Sequence, residues 1–232
     1  MESNKAAMFW SGGKDSAYAL WCIKQENKLD IKYLVTTINR NLKRVSMHGI
    51  KEEVVERQTK QTGIPLMKMF VEGGSNEDYE ASLSQIFKKL KNEGINKIVF
   101  GDIFLEDLRA YRDNFFKLHQ MQGIYPLWKQ DTSVVFNKMM KEGFRTVICC
   151  VNSTVLDEKF TGKELTLDLI SKMPDTVDTC GENGEFHTFC FEGPVFNNKV
   201  QYSLGEKIFK PLEIKQQDHS TTSPGFWFID II

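Results

Sequence analysis

A chain of 232 residues with 41% hydrophobic and 26% charged side chains has the make-up of a globular protein large enough to bury a substantial core. Thirty Lys plus Arg against thirty-one Asp plus Glu give a formal charge of -1, which disfavours dedicated nucleic-acid binding because no basic excess neutralises phosphates. No apolar run nears the roughly 20 residues of a membrane span, the opening Met1–Glu2–Ser3–Asn4–Lys5 lacks a signal-peptide core, and five cysteines are too few and odd for a secreted disulfide framework, so a reduced cytoplasmic enzyme is expected.

Residues 6–10 read as a strand, followed by a glycine turn and a helix from about residue 15 to 25, where Ala17, Leu20 and Trp21 share a face. Residues 33–38 form a second strand. Ile50, Val54 and Val55 mark a helix that stops before Gly63-Ile64-Pro65, and residues 66–71 form a third strand. Tyr79, Leu83, Ile86, Phe87 and Leu90 have helical spacing, ended by Gly94. A fourth strand at 98–100, a helix through Leu108, Tyr111, Phe115 and Leu118, and a strand near 124–127 follow. A helix over 132–141 and an all-apolar strand at 146–151 complete the series. Repeated strand–helix units with apolar strands predict an α/β fold, a doubly wound parallel sheet covered on both faces.

After Asn152 the rhythm changes. One helix is expected over 164–173, then extended segments carrying Phe186, Phe189, Phe191, Val195, Phe196 and Phe209. A polar connector over 216–224 precedes an apolar tail, 226–232, expected to cover a sheet edge or join a dimer partner. The reading is of two units: a ligand-binding α/β domain over 1–152 and a smaller C-terminal α+β substrate-binding unit over 153–232.

The first chemical signal is Ser11-Gly12-Gly13-Lys14-Asp15-Ser16, between the first strand and the first helix. Ligands of open parallel sheets bind there, at the carboxyl end of a strand. Two glycines let the backbone approach an anion, the turn and helix N-terminus form a nest of N–H groups, and Ser11, Ser16 and Lys14 add donors and charge. The simpler reading is a tight turn with Asp15 as helix N-cap. A Walker A loop is excluded, since it would need glycine at Met8 and a hydroxyl residue at Asp15. SGGKDS after an N-terminal strand resembles the PP-loop, or N-type, ATP pyrophosphatases. That resemblance implies an adenine nucleotide alpha hydrolase-like (HUP-type) fold and cleavage of ATP to AMP and pyrophosphate.

Three further signals follow. Asp102, after the fourth strand, would emerge on the same sheet edge as the glycine loop and suits Mg²⁺, as does Asp15; an ordinary turn aspartate is equally consistent. Arg109 and Arg112 are helix neighbours able to clamp phosphate or carboxylate, with Asn114 beside them, though Arg109–Asp113 also has the spacing of a surface ion pair. The densest polar cluster runs from Asp178 to Phe189, where Gly181 and Gly184 bracket Glu182 and Asn183 in a tight turn. If the following segment is extended from Glu185, then Glu185 and His187 share one side and Phe186 and Thr188 the other. Such a face would bind a cation or move protons; a solvated hairpin is the plainer alternative. Cys180, His187 and Cys190 lack a fourth zinc ligand, and Cys149-Cys150 reads as core.

Together, SGGKDS, the Gly101-Asp102-Ile103 block with its arginines, and Gly181-Glu182-Asn183-Gly184-Glu185-Phe186-His187-Thr188 resemble the diphthine–ammonia ligase family over almost the whole chain. Many members of that family read Gly-Glu-Gly-Gly-Glu-[Phe/Tyr]-Glu-Thr, whereas Asn183 and His187 stand here. The resemblance implies amidation of diphthine on translation elongation factor 2, or of a related carboxylate, with ATP, ammonia and Mg²⁺. It implies Ser11 to Ser16 as the nucleotide loop. It also implies Asp102, Arg109, Arg112, Glu182, Asn183 and Glu185 as active-site residues; the expected site then has Lys14, Asp102, Glu182 and Glu185 as catalytic residues and Arg109, Arg112, Asn114, Asn183 and His187 as substrate-binding residues. Glu2 follows Met1, so no N-terminal nucleophile cysteine of an attached glutaminase is expected, and free ammonia or a separate donor is implied. Two other readings stay open: a PP-loop tRNA-modifying enzyme, which calls for a basic face, and a non-catalytic adenine-nucleotide-binding regulatory protein.

Overall fold

The computed structural model describes residues 3–72, 75–212 and 224–232; most of the predicted polar connector at 216–224 lies outside them. The first half alternates strands and helices: β1 (Lys5–Phe9), α1 (Lys14–Glu26), β2 (Asp30–Asn39), β3 (Arg44–Val45), α2 (Glu52–Thr62) and β4 (Leu66–Val71). It continues with α3 (Asn76–Asn92), β5 (Lys97–Val99), α4 (Glu106–Leu118), β6 (Gln122–Ile124) and α5 (Thr132–Lys141). β1 lies between β2 and β5, all parallel, with β4 on the far side of β2 and β6 outside β5. Only the two-residue β3 runs antiparallel, at the end of β2. Alternate residues of β1 enter different cores: Ala6 and Met8 join one cluster with α1 and α2, while Ala7 joins the other with α3. A sheet buried on both faces explains why its strands read as continuous apolar runs.

The chain leaves β1 toward β2 and β4, then returns to the opposite side for β5 and β6. The order therefore reverses between β1 and β5, which opens a crevice outside their carboxyl ends. Gly101 makes this junction close: a Cβ there would stand 2.9 Å from the carbonyl carbon and oxygen of Asp15. Any larger residue would wedge the end of β5 away from the start of α1.

The second sheet is antiparallel, ordered β8 (Phe186–Glu192), β7 (Arg145–Asn152), β10 (Gly225–Ile231) and β9 (Leu204–Pro211). The strand predicted at 146–151 thus belongs here and not to the parallel sheet. An all-apolar run reports burial of both faces, not the direction of its neighbours. The apolar tail enters between β7 and β9, pairing Phe226 with Asn152 on one side and with Lys210 on the other. The single helix expected over 164–173 shrinks to α6 (Leu167–Ile170). Residues 162–165 are drawn out along β7 instead, with Leu165 N donating to Thr146 O at 2.9 Å and Ile148 N to Lys163 O at 2.9 Å. Thr166 caps the shortened helix at Leu169 N. The strand expected to reach residue 127 stops at Ile124, where its parallel pairing with β5 ends at Val99. One apolar cluster runs from α1 and α5 into β7 and β8, so both sheets share a core.

Candidate active site

The glycine loop is held from three directions. Gly12 adopts φ +83° and Gly13 is extended at φ -86°, acting as N-cap of α1 without a side-chain bond. The cap is therefore not Asp15. The first helical N–H, from Lys14, donates to Thr188 Oγ1 of β8 at 3.1 Å, a cap supplied from 174 residues away. Cys190 N of the same strand donates to Gly12 O at 2.8 Å. From α2, the buried Gln58 donates through Nε2 to Gly12 O at 2.8 Å and to Cys190 O at 2.6 Å, while accepting from Trp10 Nε1 at 2.8 Å. Ser11 Oγ accepts from Gly13 N at 3.2 Å and lies 3.3 Å from Ser16 Oγ.

Lys14 is buried, and its ammonium donates to Asp15 Oδ2 at 2.9 Å and to the Cys180 carbonyl, above the Phe186 ring at 5.3 Å. Burial alone lowers its pKa, but the Asp15 carboxylate and Cys180 turn the shift upward, so the group stays charged. Two of its three protons are engaged by acceptors among the described residues. Asp15 keeps Oδ1 buried and without a hydrogen-bond partner among the described residues.

The polar turn facing this loop is organised by Asp178, whose Oδ1 accepts from Cys180 N at 2.9 Å and Glu182 N at 3.0 Å. Its Oδ2 accepts from Thr132 Oγ1 at 2.6 Å. Glu185 stands in the turn, because β8 begins only at Phe186. The side-to-side alternation that would pair Glu185 with His187 does not apply to it. Its Oε1 accepts from Asp178 N and Asn183 Nδ2, both at 3.0 Å, and its Oε2 is buried without a partner among the described residues. Phe186 and Thr188 face Lys14, while Glu182 reaches across to accept from Ile103 N at 2.6 Å and Phe104 N at 3.3 Å.

A cleft of about 780 Å³ opens over this junction. Ser11, Lys14, Asp15, Ser16, Asp102 and Arg112 line one part of it; Glu182, Asn183 and His187 close another. Arg112 is ion-paired with Asp102 and stacks over Phe100 at 4.4 Å. Arg109 is not among the lining residues: its guanidinium lies over Tyr125 at 4.6 Å and Trp128 at 4.4 Å, with Nε 3.3 Å from Asp113. Asn114 is exposed on α4 and also outside the cleft, as are Glu185 and the backbones of Gly12 and Gly13 behind it. Gln58 and His48 are not among the residues singled out from sequence, and Thr188 stands there only as the last residue of the Gly181–Thr188 block. Gln58 has a sequence signal, being a polar residue on the helix face of the apolar Val54 and Val55; His48 sits in a short turn after β3 and has none.

Burial and the nearby Asp15 carboxylate raise the Glu182 pKa to about 7, against the pull of the Ile103 and Phe104 N–H groups. A carboxyl whose folded pKa exceeds its unfolded value of about 4.3 contributes stability that is complete below that value and lost as pH rises through the folded one. Urea unfolding of wild type should therefore weaken between pH 4 and about 7 relative to Glu182→Gln, which mimics the protonated form. Parallel pH profiles for the two proteins would contradict the assignment.

Residues 4–122 match the family model described as diphthamide synthase N-terminal domain, and residues 131–219 match the diphthamide synthase C-terminal domain. The diphthine–ammonia ligase of Danio rerio is 25% identical over 220 residues, covering 85% of this chain and 86% of that protein. Those of Mus musculus and Homo sapiens are 25% and 24% identical, each alignment covering 88% of this chain and 85% of the relative. Two family models that between them span most of the chain, with the glycine loop in one and the Asp178–Thr188 turn in the other, place it in the diphthamide synthase family.

Proposed function

We propose that this chain is an ATP-dependent amide-forming ligase that adenylates a substrate carboxylate and amidates it with ammonia, converting ATP to AMP and pyrophosphate. The acceptor is diphthine, as the names of its relatives suggest, carried in this reading by translation elongation factor 2 in the cytoplasm. The observation that carries this reading is the Ser11–Ser16 loop, set at the strand-order reversal and roofed by the Asp178–Thr188 turn. The start of α1 and the Ser11 and Ser16 hydroxyls suit the departing pyrophosphate, and the charged Lys14 offsets its negative charge. Arg112, Asn183 and Glu182 line the cleft beside the loop; in this reading the first two hold the acceptor and Glu182 exchanges a proton. The parallel sheet with its helices supplies the nucleotide side, and the unit built on the antiparallel sheet from β7 onward supplies most of the acceptor side.

Among the described residues no three His, Cys, Asp or Glu side chains converge as a ready-made metal cage. Asp15, with its unpartnered Oδ1, and Asp102 fit a hard cation that takes its other ligands from phosphate oxygens and water. Mg²⁺ held there would supply charge neutralisation of the triphosphate. Asp102 must share its carboxylate with Arg112 in that arrangement.

The test is to incubate the protein with ATP, Mg²⁺, ammonium and diphthine-bearing elongation factor 2 and to separate the nucleotides. AMP and pyrophosphate in equal amounts are expected; ADP and phosphate would overturn the reading.

A further inference from the structure

Two imidazoles meet beside the glycine loop. His48 and His187 have ring centroids 4.7 Å apart, inclined by 36°. They come from different units, one from the turn after β3 and the other from β8, and both line the cleft. His48 Nε2 lies so near the loop that a Cβ on Gly13 would stand 2.8 Å from it. His187 Nε2 is shut away from water with no hydrogen-bond partner among the described residues. A buried ring nitrogen left in that state calls for a ligand that meets it.

We propose that His48 and His187 form the ammonia-binding subsite of this cleft, their Nε2 atoms accepting two N–H hydrogens of NH₃ and leaving its lone pair free. The inference rests on the ligase reading above. A neutral imidazole with its proton on Nδ1 offers Nε2 as an acceptor, so two such rings match two donors of one small molecule. Burial and the Lys14 charge lower the His187 pKa to about 4, and burial, His187 and Lys14 lower that of His48. The same positive charge disfavours ammonium and favours the free base, the only form with a lone pair to donate. In the attack, that lone pair makes the new C–N bond to the acyl-adenylate. The C–O bond to AMP breaks with its electrons leaving on the phosphate, and one ammonia proton leaves with the departing AMP phosphate.

The chain has four histidines, and their ring nitrogens can be followed by long-range proton–nitrogen spectra of labelled protein with a non-cleavable ATP analogue in alkaline buffer. Ammonium chloride is expected to shift the His48 and His187 rings and leave His119 unmoved, with no matching shift from potassium chloride. Equal shifts with potassium, or none in either ring, overturn the proposal. In turnover with diphthine-bearing elongation factor 2, His187→Phe should raise KM for ammonium by about tenfold, the loss of one hydrogen bond, beyond any fall in ATP–pyrophosphate exchange. His187→Gln, which keeps an acceptor oxygen, should recover part of that loss. Equal loss in amidation and exchange would also overturn the subsite. Failure of wild type to form AMP with this acceptor would instead sink the ligase reading, and the ring spectra would still decide the subsite.

Discussion

Lys14→Met should reduce AMP formation by about a hundred- to a thousandfold, the usual cost of removing one preorganised charge-stabilising donor. Met keeps the length and apolar stem of lysine, so contact with the Phe186 ring survives while the ammonium is lost. Two effects then separate. The Asp15 carboxylate and the Cys180 carbonyl lose their shared donor, which destabilises the fold by a few kcal/mol, on the order of about 3 for a broken, largely buried pair. On the ligase reading, the departing pyrophosphate independently loses a buried positive charge at the start of α1. Urea unfolding reads the first and the AMP yield of still-folded protein reads the second. A folded variant with undiminished AMP yield would show that Lys14 only ties the loop to the Cys180 turn.

The parts of the fold that periodicity describes were legible in the sequence. Leu66–Val71 and Thr132–Lys141 begin and end where their apolar spacing and flanking residues place them. Strand partners were not legible. The apolar run through Cys149 and Cys150 looks the same whether its neighbours are parallel or antiparallel, and only β8 and β10 on its two sides settle the matter. The region after Thr161 misleads because Leu165, Leu169 and Met173 have helical spacing, yet Lys163 and Leu165 give their backbones to β7. At the site, the clustered glycines of residues 11–16 and 181–184 announce backbone geometry directly. Arg109 and Arg112 show the limit of that approach. Three residues apart on α4, they part company because Tyr125 and Trp128 take one guanidinium and Asp102 takes the other. His48 carries no local pattern, and the capping role of Thr188 is hidden in its block because its partner, Lys14, lies across the chain fold.

Gln58→Leu should lower the unfolding free energy by about 2–4 kcal/mol, because Trp10 Nε1 and Cys190 O lose this partner, Gly12 O keeps only the Cys190 N–H, and each unsatisfied buried group costs about 1–3. The indole N–H of Trp10 and the carbonyls of Gly12 and Cys190 all converge on this one amide. Leucine fills the volume but answers none of them. Gln58→Glu separates packing from polarity further: its carboxylate can still accept from Trp10, yet it faces two carbonyl oxygens and should destabilise at least as much at neutral pH. The consequence reaches the cleft. Gly12 is held at φ +83° between Gln58 and the backbone of Cys190, so loss of the amide frees the loop that the ligase reading assigns to pyrophosphate. ATP affinity should therefore fall in Gln58→Leu even at temperatures where the protein remains folded, as isothermal titration would record. A loss of less than about 1 kcal/mol in stability, within the range of a single ordinary hydrogen bond, would mean that the three groups find other partners and that the loop is positioned chiefly by β8.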